Sequence, residues 1–413
     1  MVILLKEKQS GLTLIELLIA MLIGTLLILG ATSMFIANKR VYKEVDFQGR
    51  LAENARFGME MMIRDLRMAG FMGCAVQQGI NNRLNVLNTD NTQDKTNLLS
   101  YITKNSSECS SAGLTDANCD QTNSIEGFDN TDGTTAWSPS GSTDPTDAGL
   151  ALVNNTDGFT VRFMEDTNAN LCSDMNSSSD ALEVTSQSST ISIGSSVFIE
   201  GGIYGVGDCE ATNVFQLVNE DTTEPFSLQH SGGGTFSPGN KESSLSKIYT
   251  TGSAACATPS AASPVDIFIF RARRYFIATE AAIDGGRPAL YRQTFDTSED
   301  SDTPTVHSER LIDGVENMQV LFGEDIASAT QALDRVADEY KKAVDVNNWE
   351  NVVSVKIAVL FSTLEQDFSA PLDTDTYQLL DEAAFDPTPA ADDHRRRKIL
   401  EATVSLRNRQ LSI

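Results

Sequence analysis

The chain has 413 residues, enough for one large domain or two ordinary ones. Hydrophobic residues make up 40% of it, which permits a sizeable core, while 57 acidic against 31 basic side chains give a formal net charge of −26. A surface this acidic repels phosphate backbones, which excludes bulk electrostatic binding of nucleic acid.

A long apolar segment begins close to the N-terminus. Residues 12–37 contain a single charge, Glu16, and as a helix they would span roughly 39 Å, more than the ~30 Å hydrocarbon core of a bilayer. A secretory signal peptide is the alternative, but its apolar region has only roughly 7–15 residues, and no A-x-A cleavage site follows here. A helix packed on the core of a soluble protein usually keeps a polar face toward solvent, which this segment lacks. The pattern therefore predicts a membrane-spanning helix.

Glu16 is unusual in this setting, because an acidic side chain in an apolar span costs up to about 3 kcal/mol and is normally retained for a function. It lies near the start of the span, where the cost is below the value at mid-bilayer. We expect a positive group to neutralise it in the working state.

The residues around Glu16, SGLTLIEL at 10–17, resemble the prepilin motif of type IV pilins and type II secretion pseudopilins. The resemblance implies that a prepilin peptidase cuts between Gly11 and Leu12 and methylates Leu12, where the family most often has Phe. It implies that Glu16 pairs with the N-terminal amine of a neighbouring subunit. It also implies a cytoplasmic N-terminus, which the charges flanking the span do not settle by themselves.

A helical stripe continues beyond the span, with apolar and small residues spaced alternately by four and three. Its members are Val41, Val45, Gln48, Ala52, Ala55, Met59, Met62, Leu66 and Ala69. We expect this stripe to be the surface of the helix that the sheet of the head covers. We predict one helix from Leu12 to Ala69, ended by Gly70 and Gly73. The N-terminal region then divides into a leader (1–11), a transmembrane half (12–37) and an amphipathic half (38–70), followed by a head (71–413).

The head has two compositional parts. Residues 85–150 are rich in Asn, Asp, Thr, Ser and Gly, which predicts a loop-rich insert outside the core. Alternating strand-like runs then recur, which predicts antiparallel β-structure; they begin at Gly158, Ala181, Thr190, Asn213, Asp266, Ala289, Asn317, Asn351 and Ile399. Thr330–Val344 has helical spacing. The fold class is therefore α+β, with a long N-terminal helix packed on an antiparallel β-rich head.

Six cysteines occur without any C-x-x-C pair, which predicts disulfides in an oxidising compartment rather than a zinc site. They are Cys74, Cys109, Cys119, Cys172, Cys209 and Cys256. The sequence does not choose among the 15 pairings that six cysteines allow. Cys109–Cys119, which would close a short loop, is the single pair we favour.

No catalytic or cofactor motif is present, so we predict neither an enzyme nor a cofactor. Asp166, Asn168 and Asn170 begin like a calcium loop, but Leu171 stands at the glycine position and Ser177 at the final acidic position, so no metal site is predicted. The acidic run 296–302 is interpreted as a solvated loop. The basic run 395–398 is expected to meet acidic surface on this or a neighbouring subunit.

Short stretches along the head resemble one branch of the pilin family, the PilW-type minor pilins. They are GFMGC (70–74), DAL (180–182), GDC (207–209), RPALY (287–291), LIDGVE (311–316), WENVV (349–353), RRR (395–397) and LRNR (406–409). The insert at 85–150 is not part of this resemblance.

The resemblances imply a type IV pilin-like fold and a minor pilin of the tip or priming complex that starts pilus assembly, supporting twitching motility, adhesion or DNA uptake. They imply a Gram-negative inner-membrane anchor, a periplasmic head and, in the assembled pilus, an extracellular place near the tip. Implied partners are the prepilin peptidase, the major pilin, other minor pilins and a PilY-type tip adhesin, without direct nucleic-acid binding. A J-type pseudopilin of type II secretion and a tip adhesin that binds a surface ligand are the alternatives.

We predict that a bulky residue at position 11, as in Gly11→Phe, blocks leader removal, because the peptidase needs close access to the backbone there. Mass spectrometry of the mature wild-type protein should find Leu12 at the N-terminus, and the variant should retain residues 1–11. A wild-type N-terminus at any other residue would contradict the leader assignment.

Overall fold

The head combines one long helix with two β-sheets, an α+β layout, which confirms the predicted fold class. The computed structural model describes residues 13–74, 80–82, 124–130, 150–186, 198–219, 221, 223–233, 239–240, 242–252, 256, 263–281, 283, 286–296, 305–327, 332–368, 371–380, 384–386 and 393–408.

The helix α1 runs without a break over Leu14–Met68, 55 residues or about 82 Å. Within its apolar half the hydroxyls of Thr25 and Ser33 donate to backbone carbonyls one turn earlier, so that they carry no unpaired donor. The helix ends as predicted at Gly70, whose φ of +77° is the left-handed conformation that glycine adopts without strain.

The strands within the described residues are, in chain order, β1 (Ile80–Asn82), β2 (Ile125–Phe128), β3 (Leu150–Leu152), β4 (Gly158–Leu171), β5 (Leu182–Ser186), β6 (Ile203–Gly207), β7 (Thr212–Gln216), β8 (Phe226–Leu228), β9 (Asp266–Glu280), β10 (Pro288–Asp296), β11 (Thr305–Asp313), β12 (Val315–Glu324), β13 (Glu339–Lys341), β14 (Val352–Ser362) and β15 (Arg397–Ser405). Strands lie at or near eight of the nine predicted starts. Of the run predicted from Thr190, residues 190–197 lie outside the described residues, and 198–202 form a turn.

In the described part of the chain, eleven strands form one sheet and four form another. The larger sheet has the central order β1-β7-β6-β9-β4-β5-β8, with the β10–β11 hairpin and β3 on β9 and with β2 on β4. The smaller sheet has the order β13-β12-β14-β15. All these pairs are antiparallel except β1 with β7, as the alternating runs predict.

The amphipathic half of α1 lies across both sheets and shares one hydrophobic core with them. Its buried residues are Leu51, Ala55, Gly58, Met59, Met62, Asp65 and Leu66. The predicted stripe is therefore buried from its middle onward, but its first three members, Val41, Val45 and Gln48, are exposed. For these three the expectation of contact with the sheet is wrong, because the core of the head does not extend along the helix beyond Leu51.

Part of the predicted insert at 85–150 belongs to the core. Residues 85–123 and 131–149 lie outside the described residues, but β2 is buried along its whole length and pairs with β4. For β2 the prediction of a non-core loop is wrong. Ile125 and Phe128 supply enough apolar surface for a short strand once β4 is beside it, and Arg162 neutralises the buried Glu126 at 2.8 Å.

The helix predicted at Thr330–Val344 is absent from the described residues 332–344. Arg335 has a φ of +66°, which interrupts a right-handed helix, and β13 pairs with β12 instead. Lys341 reaches the buried Glu324 at 2.8 Å, so a tertiary ion pair and a strand pairing override the local spacing.

Two disulfides lie within the described residues, which confirms that the chain forms such bonds. Cys74–Cys209 joins the segment after α1 to the turn between β6 and β7, and the two partners are 135 positions apart in sequence. Cys172–Cys256 joins the end of β4 to the segment before β9. The favoured pair Cys109–Cys119 lies outside the described residues.

A buried carboxylate, that of Asp65, ties the end of α1 to the larger sheet. Asp65 is 1% exposed; Arg273 donates to its Oδ1 at 2.7 Å and the Tyr275 hydroxyl donates to its Oδ2 at 2.5 Å. Burial, together with the charge of Asp65 and the hydrogen bond to it, raises the pKa of Tyr275 far above its usual value, so the phenol stays a donor. The Asp65–Arg273 ion pair and the hydrogen bond from the Tyr275 hydroxyl together fix the position of α1 on β9.

We predict that the Cys74→Ala, Cys209→Ala double variant loses about 2–4 kcal/mol of stability, because its unfolded chain is less constrained. Denaturant titration of the full chain in detergent measures this loss. Thiol titration of denatured, unreduced wild-type protein should find at most two free thiols, and six would contradict both the disulfides and an oxidising compartment.

We predict that Asp65→Ala destabilises the head by about 3–5 kcal/mol, because it leaves the largely covered Arg273 guanidinium without its partner. Asp65→Asn, which keeps an acceptor for Tyr275, should lose less. Glu60→Ala breaks an exposed ion pair with Arg56 on the same helix and should change the unfolding midpoint little. Equal midpoints for Asp65→Ala and Glu60→Ala would contradict the role assigned to Asp65.

Candidate assembly site

Of the predicted site residues, Glu16 lies in the first turn of α1, a helix that Thr13 caps. Gly11 and Leu12, the predicted cleavage and methylation positions, lie outside the described residues. Glu16 therefore represents this site in the structure.

Glu16 and Thr13 form a reciprocal capping box. The Thr13 backbone N–H and hydroxyl both donate to Glu16 Oε2 at 2.9 Å, and the Glu16 N–H donates to Thr13 Oγ1 at 3.4 Å. The carboxylate also lies beside the positive end of the helix dipole. A charge in this apolar segment is thus partly compensated within its own chain.

The sequence interpretation assigned Glu16 only a partner in another subunit and missed this local one. Thr13-x-x-Glu16 has the T-x-x-E spacing of a capping box, followed directly by an apolar run, so the signal was present in the sequence. The arrangement leaves the carboxylate exposed and able to accept a further donor.

The apolar half of α1 is solvent-exposed on every face in the isolated chain, with large side chains from Leu14 to Ile36 between 46% and 77% exposed. The helix is long and apolar enough to cross a membrane, and none of the most apolar stretch is buried by the head. Such an exposed surface requires lipid or other helices around it.

The basic run at 395–398 ties the head to α1, which confirms that it meets acidic surface on the same chain. Arg396 reaches Glu44 of the helix at 3.1 Å, and Arg395 reaches Asp393 at 3.4 Å. The Arg396–Glu44 pair holds the N-terminal end of β15 beside the helix, while the Arg395–Asp393 pair lies within the segment that leads into β15.

The Arg397 guanidinium lies among three carboxylates. It contacts Glu316 and Asp373 at 2.6 Å and also pairs with Asp393. Burial by itself lowers the pKa of Arg397, but the three carboxylates outweigh it and raise the pKa. Burial likewise opposes the charged form of Asp393, yet Arg397 and the Arg395 backbone N–H lower its pKa overall. The charged groups of this cluster are paired with one another, so we assign the cluster a structural role.

The residues proposed as a partial calcium loop form a bulge in β4. The pairing of β4 with β9 shifts between Asp166 and Ala169, Asn168 has a φ of +53°, and Asn170 donates to Asp266 at 2.7 Å. Within the described residues no three His, Cys, Asp or Glu side chains are grouped as metal ligands.

Two family models match the chain. Residues 6–32, which include Gly11, Leu12 and Glu16, match the prokaryotic N-terminal methylation motif. Residues 274–408, which run from β9 to the end of the described residues, match the type IV pilus-assembly protein W family, PilW. Neither a curated protein nor a solved structure matches the chain.

The two matches lie at opposite ends of the chain and agree on one class of protein. The first implies processing by a prepilin peptidase and partners from a pilus system, and it fits membrane anchoring by the apolar helix. The second implies a structural role in the pilus. Together with the long apolar helix and the antiparallel head, they are consistent with a PilW-like pilin of the type IV pilus.

Proposed function

We propose that this chain is a minor pilin of the tip or priming complex that initiates assembly of a type IV pilus. The observation that carries the proposal is the combination, on one continuous helix, of an apolar half exposed on every face and an amphipathic half buried in a large head. In a filament, the apolar halves of neighbouring subunits would cover one another and form the core, without any other hydrophobic surface. Twitching motility, adhesion or DNA uptake would follow from the pilus it helps to start.

Before assembly, α1 stores the subunit in the inner membrane with the head in the periplasm. The two disulfides support that location, because such bonds persist in oxidising compartments. Removal of the leader by the prepilin peptidase, after Gly11, then frees the amine of Leu12.

Assembly joins the free amine of one subunit to Glu16 of its neighbour. The two charges are each costly in an apolar bundle and less costly as a pair. The capping box supports this step, because it keeps the Glu16 carboxylate satisfied in the stored subunit and presents it at the helix terminus. The helices then bundle while the heads dock sideways, against the major pilin and the other minor pilins.

The PilW match supports a place in the pilus over a place in a type II secretion system, whose J-type pseudopilin shares the leader and the general fold. A PilY-type adhesin is the further partner we propose at the tip. Direct binding of a surface ligand by the head is the remaining candidate, and the residues that would serve it, 85–150, lie largely outside the described residues.

We predict that Glu16→Ala leaves processing and folding of the head intact but reduces the number of pili. The head is far from Glu16, while loss of the carboxylate leaves a neighbour's amine unpaired in a low-dielectric bundle, at a cost of about 3–5 kcal/mol. Because a minor subunit acts when assembly starts, the pili should be fewer rather than weaker. Surface pilus counts and twitching in cells carrying only the variant measure the effect, at matched protein level.

Glu16→Gln is the matched control, because glutamine preserves the capping box without the charge. If the charge pairs with an amine, Glu16→Gln should lose pili as Glu16→Ala does. Normal piliation with Glu16→Gln and loss with Glu16→Ala would assign Glu16 to helix capping alone. Normal piliation with both would remove Glu16 from assembly.

A further inference from the structure

We propose that the end of the head nearest the membrane rests on the bilayer surface, with Phe368 entering the lipid headgroup layer. We call this end the membrane-facing edge; it consists of residues 363–368, 371–372 and 393–398. Lys39, Arg40 and Lys43 of α1 would draw anionic lipids beneath it. The proposal rests on the membrane anchoring of α1 and is independent of a role at the pilus tip.

The orientation of the edge follows from two contacts between β15 and α1. Arg396, just before β15, reaches Glu44, while Asn408, just after it, donates to the carbonyl of Arg67 at 2.9 Å. The strand and the helix therefore run in opposite directions, and the start of β15 is the end nearest the span. Glu44 lies about 10 Å along the helix from Ala37, the last residue of the span.

That distance places the edge within side-chain reach of the lipid. The interfacial layer on each side of a bilayer is roughly 5–7 Å thick. Glu44 therefore lies about 3–5 Å above the headgroup layer whenever the apolar half of α1 occupies the hydrocarbon core, a gap that side chains of the loop beside Arg396 can span. Lipid contact at this edge is a consequence of the helix–head geometry.

The edge exposes apolar side chains that are held in place. Phe368 is 75% exposed, and its ring packs edge-on against that of His394 with centroids 5.4 Å apart. The loop that carries Phe368 is pinned to the start of β15, because the Thr363 N–H donates to Arg396 O at 2.9 Å and the Asp367 N–H to His394 O at 3.3 Å. Leu364 and Leu372 are exposed beside it. Ordered aromatic and aliphatic side chains next to a span are typical of interfacial anchors.

The exposed charge on α1 just beyond the span is positive, against the strongly acidic average of the chain. Lys39, Arg40 and Lys43 are exposed and make no ion pair with any described residue. The next two carboxylates on the helix are already paired, Glu44 with Arg396 and Asp46 with Arg50. Cations beside an exposed apolar edge favour a surface of anionic lipid.

The experiment places a fluorescent reporter in the edge of the full chain. Phe368→Trp is reconstituted into vesicles whose phosphatidylcholine is brominated near the headgroup and which contain phosphatidylglycerol. Wild-type protein supplies the emission of the two native tryptophans for subtraction. Bromine quenches only an indole that touches lipid.

Val336→Trp is the matched control. Val336 is 61% exposed, and its neighbour Arg335 bonds Asp325, beside the end of β12 farthest from the membrane-facing edge. The other end of β12, at Val315, pairs with Phe361 close to the membrane-facing edge. The two ends of β12 are about 30 Å apart. Unchanged unfolding midpoints for both variants show that each head is intact.

We expect the introduced indole at 368 to lose severalfold more emission than the one at 336. The loss should fall in vesicles of phosphatidylcholine alone, and in the anionic vesicles when Lys39, Arg40 and Lys43 are all replaced by Gln. Equal quenching at 368 and 336 would overturn the proposal. A blue shift at 368 without quenching would also overturn it, since another protein chain would then cover the edge.

Two further outcomes distinguish membrane anchoring of α1 from lipid contact of the membrane-facing edge. If the chain does not float with the vesicles, the membrane anchoring is wrong and the proposal falls with it. If the chain floats but the indole at 368 is not quenched, the proposal alone is wrong and the pilin assignment stands. Equal quenching in neutral and anionic vesicles would overturn the role of the three cationic residues.

Discussion

The helix α1 is uninterrupted and has to be stable both in lipid and beside water. The rest of the structure depends on how it meets that requirement. Up to Ala37 its surface is apolar on every face, which suits lipid and would be costly in water. From Leu51 onward only one stripe is apolar, and the head covers it. Between these parts, Lys39–Arg50 carries six of the thirteen charged side chains of the helix and makes little contact with the core. The helix therefore changes environment within about four turns.

The head is fixed to α1 by polar ties at the two ends of their contact. Asp65 binds β9 near the far end of the helix, and Glu44 binds Arg396 near the membrane. Hydrophobic packing is not directional, so a stripe of small and apolar residues would by itself allow the head to slide or turn on the helix. A buried carboxylate with two fixed donors does not allow this, because moving it leaves charges unpaired. Head and helix should consequently move as one body when subunits dock.

The N-terminal glutamate has a local role in this chain, and the proposed assembly would give it an intermolecular one as well. In the isolated chain it completes the capping box with Thr13, which makes a charge at the start of an apolar helix tolerable. A neighbour's amine would offer it a stronger partner in a filament. The local hydrogen bonds are weak enough to be replaced and do not depend on any other subunit, so the stored and assembled states can both satisfy the same side chain.

The sequence by itself determined the elements that depend on local pattern. The apolar run, the four–three stripe and the glycine at position 70 were enough to predict α1 within two residues of the described ends, and alternation along Asp266–Glu280 or Val352–Ser362 was enough to predict strands. The prepilin motif predicts Gly11, Leu12 and Glu16 as site residues, because a motif of this kind is a short linear segment.

Only the tertiary structure decided the features whose partners are distant along the chain. Ile125–Phe128 is a core strand because it pairs with β4 and because Arg162 neutralises its buried glutamate. Glu339–Lys341 is a strand because it pairs with β12 and because Lys341 forms an ion pair with Glu324. The partners of Cys74 and Asp65 lie 135 and 208 residues away, respectively. The physical reason is common to all of these cases: pairing of strands, of thiols and of buried charges depends on which segments the folded core brings together, and local composition carries no record of that choice.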